Sequence, residues 1–258
     1  MKRLFFFLCF LFILTGAVWA ESGIREKLQQ IKGVSDIKEM KIDSFDEYSE
    51  FWYEQPVDHE NPALGSFKQR VLLGHKKKQQ APVIVEIQGY NIWTPEAGEL
   101  ANLLDGNQLT IEHRFFNNSV PAGGVPWKYL TIKQAATDQH EVIQAIKKAI
   151  YPDSKWITTG ISKGGQTTIF HRYFYPEDVD ISVPYVAPLN LEYVDPRIQK
   201  FLDRVGSPKG GLGRYFFGSS EGNDCNWSIH KFQELCFANI DALVPKVAEY
   251  AEDKGYTF

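Results

Sequence analysis

Short apolar runs alternate with longer amphipathic stretches through most of the chain. Two runs with strand character, Phe67–Leu73 and Val83–Ile87, are separated by the polar turn HKKKQQAP, and Leu109–Glu112 is a third short strand. The apolar positions of Thr131–Ile150 recur at the spacing of one helix face. The pattern therefore predicts strands that alternate with helices.

The predicted helix at Thr131–Ile150 carries a start signal and a stop signal. Thr131 and Gln134 form a capping-box pair, and Pro152 ends the helix. Three more elements follow, which are the strand Lys155–Thr159, the helix Gln166–Tyr175 and a buried strand within DISVPYVAPL, residues 180–189. Because these strands are mostly apolar throughout, we expect a parallel sheet that helices cover on both faces.

The two ends of the chain differ from this alternating part. Ser22–Lys41 is polar and predicts a short surface helix and a connector. After Asn190, helical patterns follow one another without strands, which is typical of a helical cap inserted into a sheet domain. The length of 258 residues and the hydrophobic content of 43% suit one sizeable domain, or one domain with an insertion. We therefore expect a core at residues 21–190 and a helical cap region at residues 191–258.

The first 20 residues, MKRLFFFLCFLFILTGAVWA, have the anatomy of a secretory signal. They begin with basic residues, continue as an apolar run that is short for a membrane span, and end in small residues. We predict cleavage after Ala20 and a secreted or periplasmic protein with no membrane span in the mature chain. The formal net charge is −4, and losing Lys2 and Arg3 makes it more negative, so nothing favours a nucleic-acid partner.

A serine flanked by glycines follows the predicted strand Lys155–Thr159. In the stretch GISKGG, a sharp strand-to-helix turn would lift the Ser162 hydroxyl clear of the backbone, and Gly160, Gly164 and Gly165 would permit the bend. Such a serine is a candidate nucleophile. The negative charge that develops during attack needs hydrogen-bond donors, which we predict from the backbone of Lys163 and from Gly89 and Tyr90 in the loop QGYNIW.

Three charged or titratable residues, Glu112, His113 and Arg114, follow a short strand. The end of that strand should face the edge of the sheet where the active site lies. We predict that the three residues form a buried cluster that supports the site, with Arg114 paired to an acid.

The cysteines and histidines outside this region give weaker signals. Cys225 and Cys236 remain after signal removal, and we predict that they form a disulfide, the alternative being two free buried thiols. HEVIQ, at His140, begins like a zinc-binding helix but has Gln144 in place of the second histidine, so His140 and Glu141 are interpreted as solvated helix surface. We expect neither a metal ion nor another cofactor, and the sequence specifies no oligomeric state.

Several separated blocks resemble the secreted serine exopeptidases of the prolylcarboxypeptidase and dipeptidyl-peptidase II type. The blocks are WYEQPVDHENPALGSFKQR, EHRFFNNSVP, WKYLTIKQAATD and GISKGGQTTIFHRYFYPEDVDISVPYVAPLN. The serine turn GISKGG and the loop IQGYN resemble the bacterial members, the tripeptidyl-aminopeptidase (PS-type) family. The resemblance implies an α/β-hydrolase core with a helical cap, and peptide substrates cut near a free end, often at proline.

The resemblance also implies a catalytic Asp and His after the serine, in that order. Only His171 and His230 follow Ser162. We expect His171 to be a packing or surface residue of its helix, and His230 and Asp203 both lie in helical patterns. We therefore expect the chain to be truncated and to lack the family's Asp and His. The alternatives are an esterase or lipase on the same fold and a non-catalytic secreted binding protein.

Overall fold

The computed structural model describes residues 23–190, 192, 195–206 and 225–255. The chain divides into two compact units, Met1–Leu189 and Asn190–Phe258. This division lies within one residue of the predicted boundary between core and helical cap region. The predicted signal sequence lies outside the described residues.

A seven-stranded mixed sheet forms the first unit. Its strands are β1 (Val34–Met40), β2 (Glu47–Pro56), β3 (Ser66–His75), β4 (Val83–Ile87), β5 (Asn107–Ile111), β6 (Trp156–Ile161) and β7 (Ile181–Tyr185). They lie side by side in the order β1-β2-β3-β5-β4-β6-β7. The strands β5, β4, β6 and β7 are parallel, whereas β1, β2, β3 and β5 pair antiparallel. The expectation of a parallel sheet is therefore correct for one half and wrong for the other.

The connections explain this division of the sheet. The loops before and after β2 contain no α-helix, so successive strands run back along one another. Parallel strands need a crossover, and three helices supply it, α2 (Glu99–Leu104), α3 (Ile132–Ala149) and α4 (Lys163–Phe174). The short helix predicted in Ser22–Lys41 is found as α1 (Ile24–Gln29), but the predicted connector contains β1. This edge strand is largely exposed and shows little apolar alternation.

The main hydrophobic core lies between one face of the sheet and the helices α1 and α3. The buried helix residues are Ile24 and Leu28 of α1 and Val142, Ile143 and Ile146 of α3. Alternate residues of the strands meet them, among them Val83, Val85, Ile87, Leu109 and Trp156. On the opposite face, α2 begins where the Gly98 N–H donates to Gln108 Oε1 at 2.7 Å. Helices therefore pack on both faces, as predicted.

The edge strand β7 differs from its prediction as a buried strand. Its residues are exposed or half-buried, and Ile181 retains 53% of its accessible surface. The strand pairs only with β6 among the described residues. The apolar sequence therefore correctly predicts a strand that runs parallel to its neighbour, but it does not predict the exposure of that strand.

The start of α3 confirms half of the predicted capping box. Thr131 Oγ1 accepts a hydrogen bond from the Gln134 N–H at 3.3 Å. The Gln134 side chain does not bond back to Thr131, because its oxygen accepts from the His59 N–H at 3.0 Å and its amide donates to Asp58 at 2.6 Å. Tertiary contacts therefore replace the local reciprocal bond.

Three helices make up the described part of the second unit, α5 (Pro196–Gly206), α6 (Cys225–Ala238) and α7 (Ile240–Asp253). Cys225 begins α6 and Cys236 lies near its end. The helix separates them by about 16 Å along its axis, whereas a disulfide joins Cα atoms about 4.4–6.8 Å apart. Cys236 is a free thiol. The predicted disulfide is therefore wrong.

The strand order from β2 to β7, with only β3 running against the others, is the arrangement of an α/β-hydrolase core. The serine turn joins β6 to α4, which is where this fold carries its nucleophile. The fold class implied by the sequence resemblance is therefore confirmed. Within the part of the chain that the structure describes, no helix combines the length and the apolar character that a membrane crossing requires.

Replacing Leu109 by Ala tests the central position of β5 in the core. Leu109 is fully buried, so we expect Leu109→Ala to lower the free energy of unfolding by about 2–5 kcal/mol through lost contacts and a cavity. Leu103→Ala is the matched control, because Leu103 is 75% exposed and its loss should cost about 0.5 kcal/mol or less. Chemical denaturation measures both, and equal losses would contradict the burial of Leu109 in the core.

Candidate active site

Ser162 lies at the tip of a sharp turn between β6 and α4. Its backbone has φ 57° and ψ −119°, a combination that residues other than glycine rarely adopt. The Ser162 N–H donates to the Tyr185 carbonyl at 3.0 Å, and the Ser162 carbonyl accepts from the Gln166 N–H at 3.0 Å. Ser162 is exposed, and its hydroxyl has no hydrogen-bond partner among the described residues. The turn therefore leaves the Ser162 side chain accessible to solvent.

The glycines around Ser162 allow backbone segments to touch. A Cβ atom at Gly160 would lie 2.6 Å from the carbonyl oxygens of Ile87 and Gly164, and one at Gly164 would lie 2.5 Å from the same Ile87 oxygen. At Gly165 a Cβ atom would meet the Tyr185 carbonyl oxygen at 2.5 Å. No side chain fits at these separations. The predicted role of the three glycines follows from close approach, since none of them has a positive φ angle.

The residues predicted as oxyanion donors lie together beside this turn. A Cβ atom at Gly89 would lie 2.6 Å from the Gly164 nitrogen, so the loop after β4 packs directly on the first turn of α4. The N–H groups of Lys163 and Tyr90 have no partner within the described residues. The first N–H groups of a helix are unpaired and carry partial positive charge. Both N–H groups therefore lie on segments that pack against each other next to the serine turn.

The side chain of Lys163 joins the same two segments. Its ammonium donates to the Gly89 carbonyl oxygen at 2.6 Å and lies over the rings of Tyr90 and Phe116, 4.7 and 4.6 Å from their centroids. Removal from water lowers the pKa of Lys163 to about 8. Only the backbone of Lys163 was predicted from the sequence to take part in the site. No sequence signal distinguishes this side chain from an ordinary exposed lysine.

Glu112 and His113 fix the loop that carries Gly89 and Tyr90. Glu112 is fully buried, and its carboxylate accepts from the Ile92 N–H at 3.0 Å and from the Ser119 hydroxyl at 2.7 Å. Burial raises the pKa of Glu112 above its ordinary value. The His113 N–H donates to the Tyr90 carbonyl at 2.9 Å, and burial lowers the pKa of the His113 ring to about 3, so the ring is neutral. Both residues therefore stabilise the loop through hydrogen bonds to its backbone.

Arg114 is fully buried and paired to an acid, as predicted. Its guanidinium donates two hydrogen bonds to Asp138, at 2.8 and 3.2 Å, and others to the carbonyls of Tyr129 and Pro56 at 2.7 and 3.1 Å. His59 lies on the other side of Asp138, at 2.6 Å. Asp138 was not among the residues predicted from the sequence to belong to the site. Asp138 lies in the apolar stripe of α3, between Ala135 and Val142, and a charged residue on a buried helix face was the sequence signal that could have identified it.

The five histidines of the first unit are all engaged away from Ser162. His59 contacts Asp138, His75 contacts Asn107 and Tyr151, and His113 contacts the Arg114 carbonyl. His140 and His171 both bond to Asp178, at 2.8 and 3.0 Å. His171 is a buried packing residue, consistent with its expected role. His140 is not solvated surface as predicted, because it stacks on Tyr175 and bonds to Asp178. No histidine of the described residues bonds to the serine hydroxyl.

Comparison with known proteins adds a family and several relatives. The PS-10 peptidase S37 family matches residues 19–258. The chain is 34% identical over 240 residues to prolyl tri/tetrapeptidyl aminopeptidase of Streptomyces mobaraensis, covering 92% of this chain and 46% of that protein. It is 30% identical over 153 residues to the thymus-specific serine protease of Mus musculus, covering 54% of this chain and 30% of that protein. The chain thus spans about half the length of the Streptomyces relative, and a smaller share of the length of the murine one.

Two of the solved structures that align with the chain are acetyl xylan esterases. Acetyl xylan esterase 1 from Thermoanaerobacterium sp. JW/SL YS485 aligns with a TM-score of 0.46 and 13% identity, covering 75% of this chain and 69% of that chain. An acetyl xylan esterase from Paenibacillus sp. R4 aligns with a TM-score of 0.40 and 17% identity, covering 61% and 54%.

Replacing Arg114 by Ala tests the buried ion pair. We expect Arg114→Ala to lower the free energy of unfolding by about 3–5 kcal/mol, because Asp138 is left buried without its main partner. The matched control is Lys133→Ala, which breaks an exposed pair with Glu60 and should leave the unfolding midpoint unchanged. Denaturant titration of both variants decides the question. A wild-type midpoint for Arg114→Ala would show that the pair contributes nothing.

Proposed function

The chain belongs to the PS-10 peptidase S37 family, and on this premise we propose that Ser162 is the nucleophile of a serine peptidase. The observation that carries the proposal is the strained, exposed Ser162 turn beside the N–H groups of Lys163 and Tyr90, which have no partner among the described residues. This arrangement suits acyl transfer, because it combines a presented hydroxyl with donors for a developing oxyanion.

The proposed reaction begins with attack of Ser162 Oγ on the carbonyl carbon of a peptide bond. The carbonyl oxygen becomes negatively charged and accepts hydrogen bonds from the Lys163 and Tyr90 N–H groups. The bond to the leaving amine then breaks, the amine takes up a proton, and an acyl-serine ester remains. Water hydrolyses this ester and restores the hydroxyl.

A proton acceptor is needed for the attack on the peptide bond, and none of the described histidines in the first unit contacts Ser162. We propose that the general base and its orienting acid come from outside this unit. His230 and Asp203 belong to the helices α6 and α5, whereas a triad acid and base on this fold are expected on loops at strand ends. For that reason we assign neither role to them.

The proposed substrates are peptides with a free amino terminus, from which short peptides are released. The support is the 34% identity to an enzyme named prolyl tri/tetrapeptidyl aminopeptidase, which extends over 92% of the chain. The name of that relative makes a bond next to proline the first bond to test. A short-chain ester is the alternative substrate, because esterases share the fold.

We also propose that the protein is exported. The proposal is supported by the basic start, the apolar run and the small residues that precede Glu21 in the sequence. Amino-terminal sequencing of the protein recovered from outside the cytoplasm would test the predicted cleavage after Ala20. An intact Met1 on that protein would contradict the proposal.

Replacing Ser162 by Ala tests the nucleophile. In the protein expressed from its complete gene, Ser162→Ala should lower kcat at least about 1,000-fold, because covalent catalysis is lost while the fold is kept. A fluorophosphonate probe should label wild type at Ser162 and leave the variant unlabelled. The measurements are hydrolysis of proline-containing peptides and mass spectrometry of the labelled peptide.

Two further variants serve as controls for the Ser162 experiment. Ser66→Ala removes another exposed hydroxyl, and it should change neither labelling nor turnover. His230→Ala should also retain activity if the base lies elsewhere, whereas a loss comparable to that of Ser162→Ala would identify His230 as the base. Labelling of the wild-type protein at any residue other than Ser162 would refute the assignment of the nucleophile.

A further inference from the structure

Lys163 is a half-buried cation without a carboxylate partner in the part of the chain that is described. Its ammonium contacts the Gly89 carbonyl oxygen and two aromatic ring faces. Removing an ammonium from water is unfavourable, and a lysine at a helix start also opposes the helix dipole. The position of the Lys163 ammonium therefore lowers the stability of the fold. A role in the function of the site would explain why a lysine is found there.

The Gly89 carbonyl and the Tyr90 N–H belong to one peptide unit. A trans peptide is planar, so its C=O and N–H bonds point in opposite directions. Holding the carbonyl toward Lys163 therefore fixes the direction of the Tyr90 N–H. The next carbonyl, that of Tyr90, is held by the His113 N–H at 2.9 Å. The peptide is thus fixed on both sides while its N–H stays free of partners among the described residues.

The charge of Lys163 should also strengthen this donor. A hydrogen bond from an ammonium to a carbonyl is charge-assisted, and at 2.6 Å it is short. It draws electron density toward the carbonyl oxygen and makes the N–H of the same peptide unit a better donor, since linked hydrogen bonds polarise one another. Neutral lysine would give a weaker contact and less polarisation.

We propose that the charged side chain of Lys163 is a positioning residue of the oxyanion hole, which orients and polarises the Tyr90 N–H by holding the Gly89 carbonyl. This inference rests on the proposed role of Ser162 as the nucleophile. Lys163 would then contribute twice, through its backbone N–H as a donor and through its side chain as the support of the second donor.

The surroundings of Lys163 give the proposal a pH signature. Of the titratable groups on neighbouring elements, Tyr90 lies under the Lys163 ammonium and His113 interacts with it electrostatically, and Glu112 and Arg114 flank His113 in the sequence. Glu112 is bonded to Ile92 and Ser119, Arg114 is paired with Asp138, and His113 is neutral, so none of these three offsets the desolvation of Lys163. The pKa of about 8 means that the charge is present below pH 8 and lost above it. The rate should therefore fall as the pH rises through about 8.

The test measures the second-order rate constant for phosphonylation of Ser162 by a fluorophosphonate between pH 6 and 10. The reagent places a developing negative oxygen in the same hole, so the readout does not depend on peptide specificity. The variants are Lys163→Met and Lys163→Arg, in the protein expressed from its complete gene. Lys147→Met is the matched control, because Lys147 also donates to a backbone carbonyl, that of Asp178, and lies over a ring, that of Trp156.

We expect Lys163→Met to react about 10–100-fold more slowly at pH 7. Losing one oxyanion donor typically costs about 100–1,000-fold in rate, and in this variant the Tyr90 N–H is still present but is no longer held in a fixed orientation. Its profile should lack the decline near pH 8. Lys163→Arg should keep most of the rate and move the decline to higher pH, because a guanidinium stays charged. Lys147→Met should match wild type in both rate and pH profile.

Two outcomes would overturn the inference and are distinguishable from each other. If wild type is not phosphonylated at Ser162, the proposed nucleophile fails and the role of Lys163 fails with it. If wild type reacts at Ser162 but Lys163→Met keeps its rate and its decline near pH 8, only the role of Lys163 fails. Thermal unfolding of each variant separates loss of fold from loss of positioning, and a slow but fully folded Lys163→Met protein supports the proposal.

Discussion

The contact between the Ile87 carbonyl and the first turn of α4 sets the geometry of the whole site. This carbonyl lies so close to Gly160 and Gly164 that no Cβ atom fits at either position. Because the helix start is pressed against the end of β4, the loop that leaves β4 must run alongside it. That neighbourhood places Gly89 next to Lys163 and brings the loop that carries the Tyr90 N–H against the start of α4.

Buried charge holds the loops in this arrangement. The residues that follow β5 provide Glu112 for the loop around Ile92 and Arg114 for α3 and the end of β2. Loops have little apolar surface with which to pack, so directional hydrogen bonds accepted by a buried carboxylate and donated by a buried guanidinium replace hydrophobic contacts. The cost of burying both groups is offset only where all of their bonds are made. The site support is therefore rigid and intolerant of partial loss.

Sequence reasoning identified the features that depend on local pattern. Val83–Ile87 is a strand with the predicted bounds, Thr131 caps α3, and Ser162 lies on the predicted turn, because strand propensity, capping and turn chemistry act over a few residues. Features set by distant partners were missed or mistaken. The pairing of β2 and β3, the bond from His140 to Asp178 and the acid partner of Arg114 depend on residues far away in the sequence. The exposure of β7 follows from its pairing with β6 alone among the described strands, which its composition does not encode.

The backbone of Ser162 also limits which amino acids this position can carry during evolution. A positive φ angle of 57° is tolerated by unbranched side chains but is strongly disfavoured for a β-branched one. Threonine offers the same hydroxyl chemistry, yet its extra methyl group would clash with the turn. Cysteine retains both an unbranched Cβ and a nucleophilic atom. If the nucleophile at this turn changed in evolution, cysteine would therefore replace serine more readily than threonine would, although threonine is the closer chemical analogue of serine.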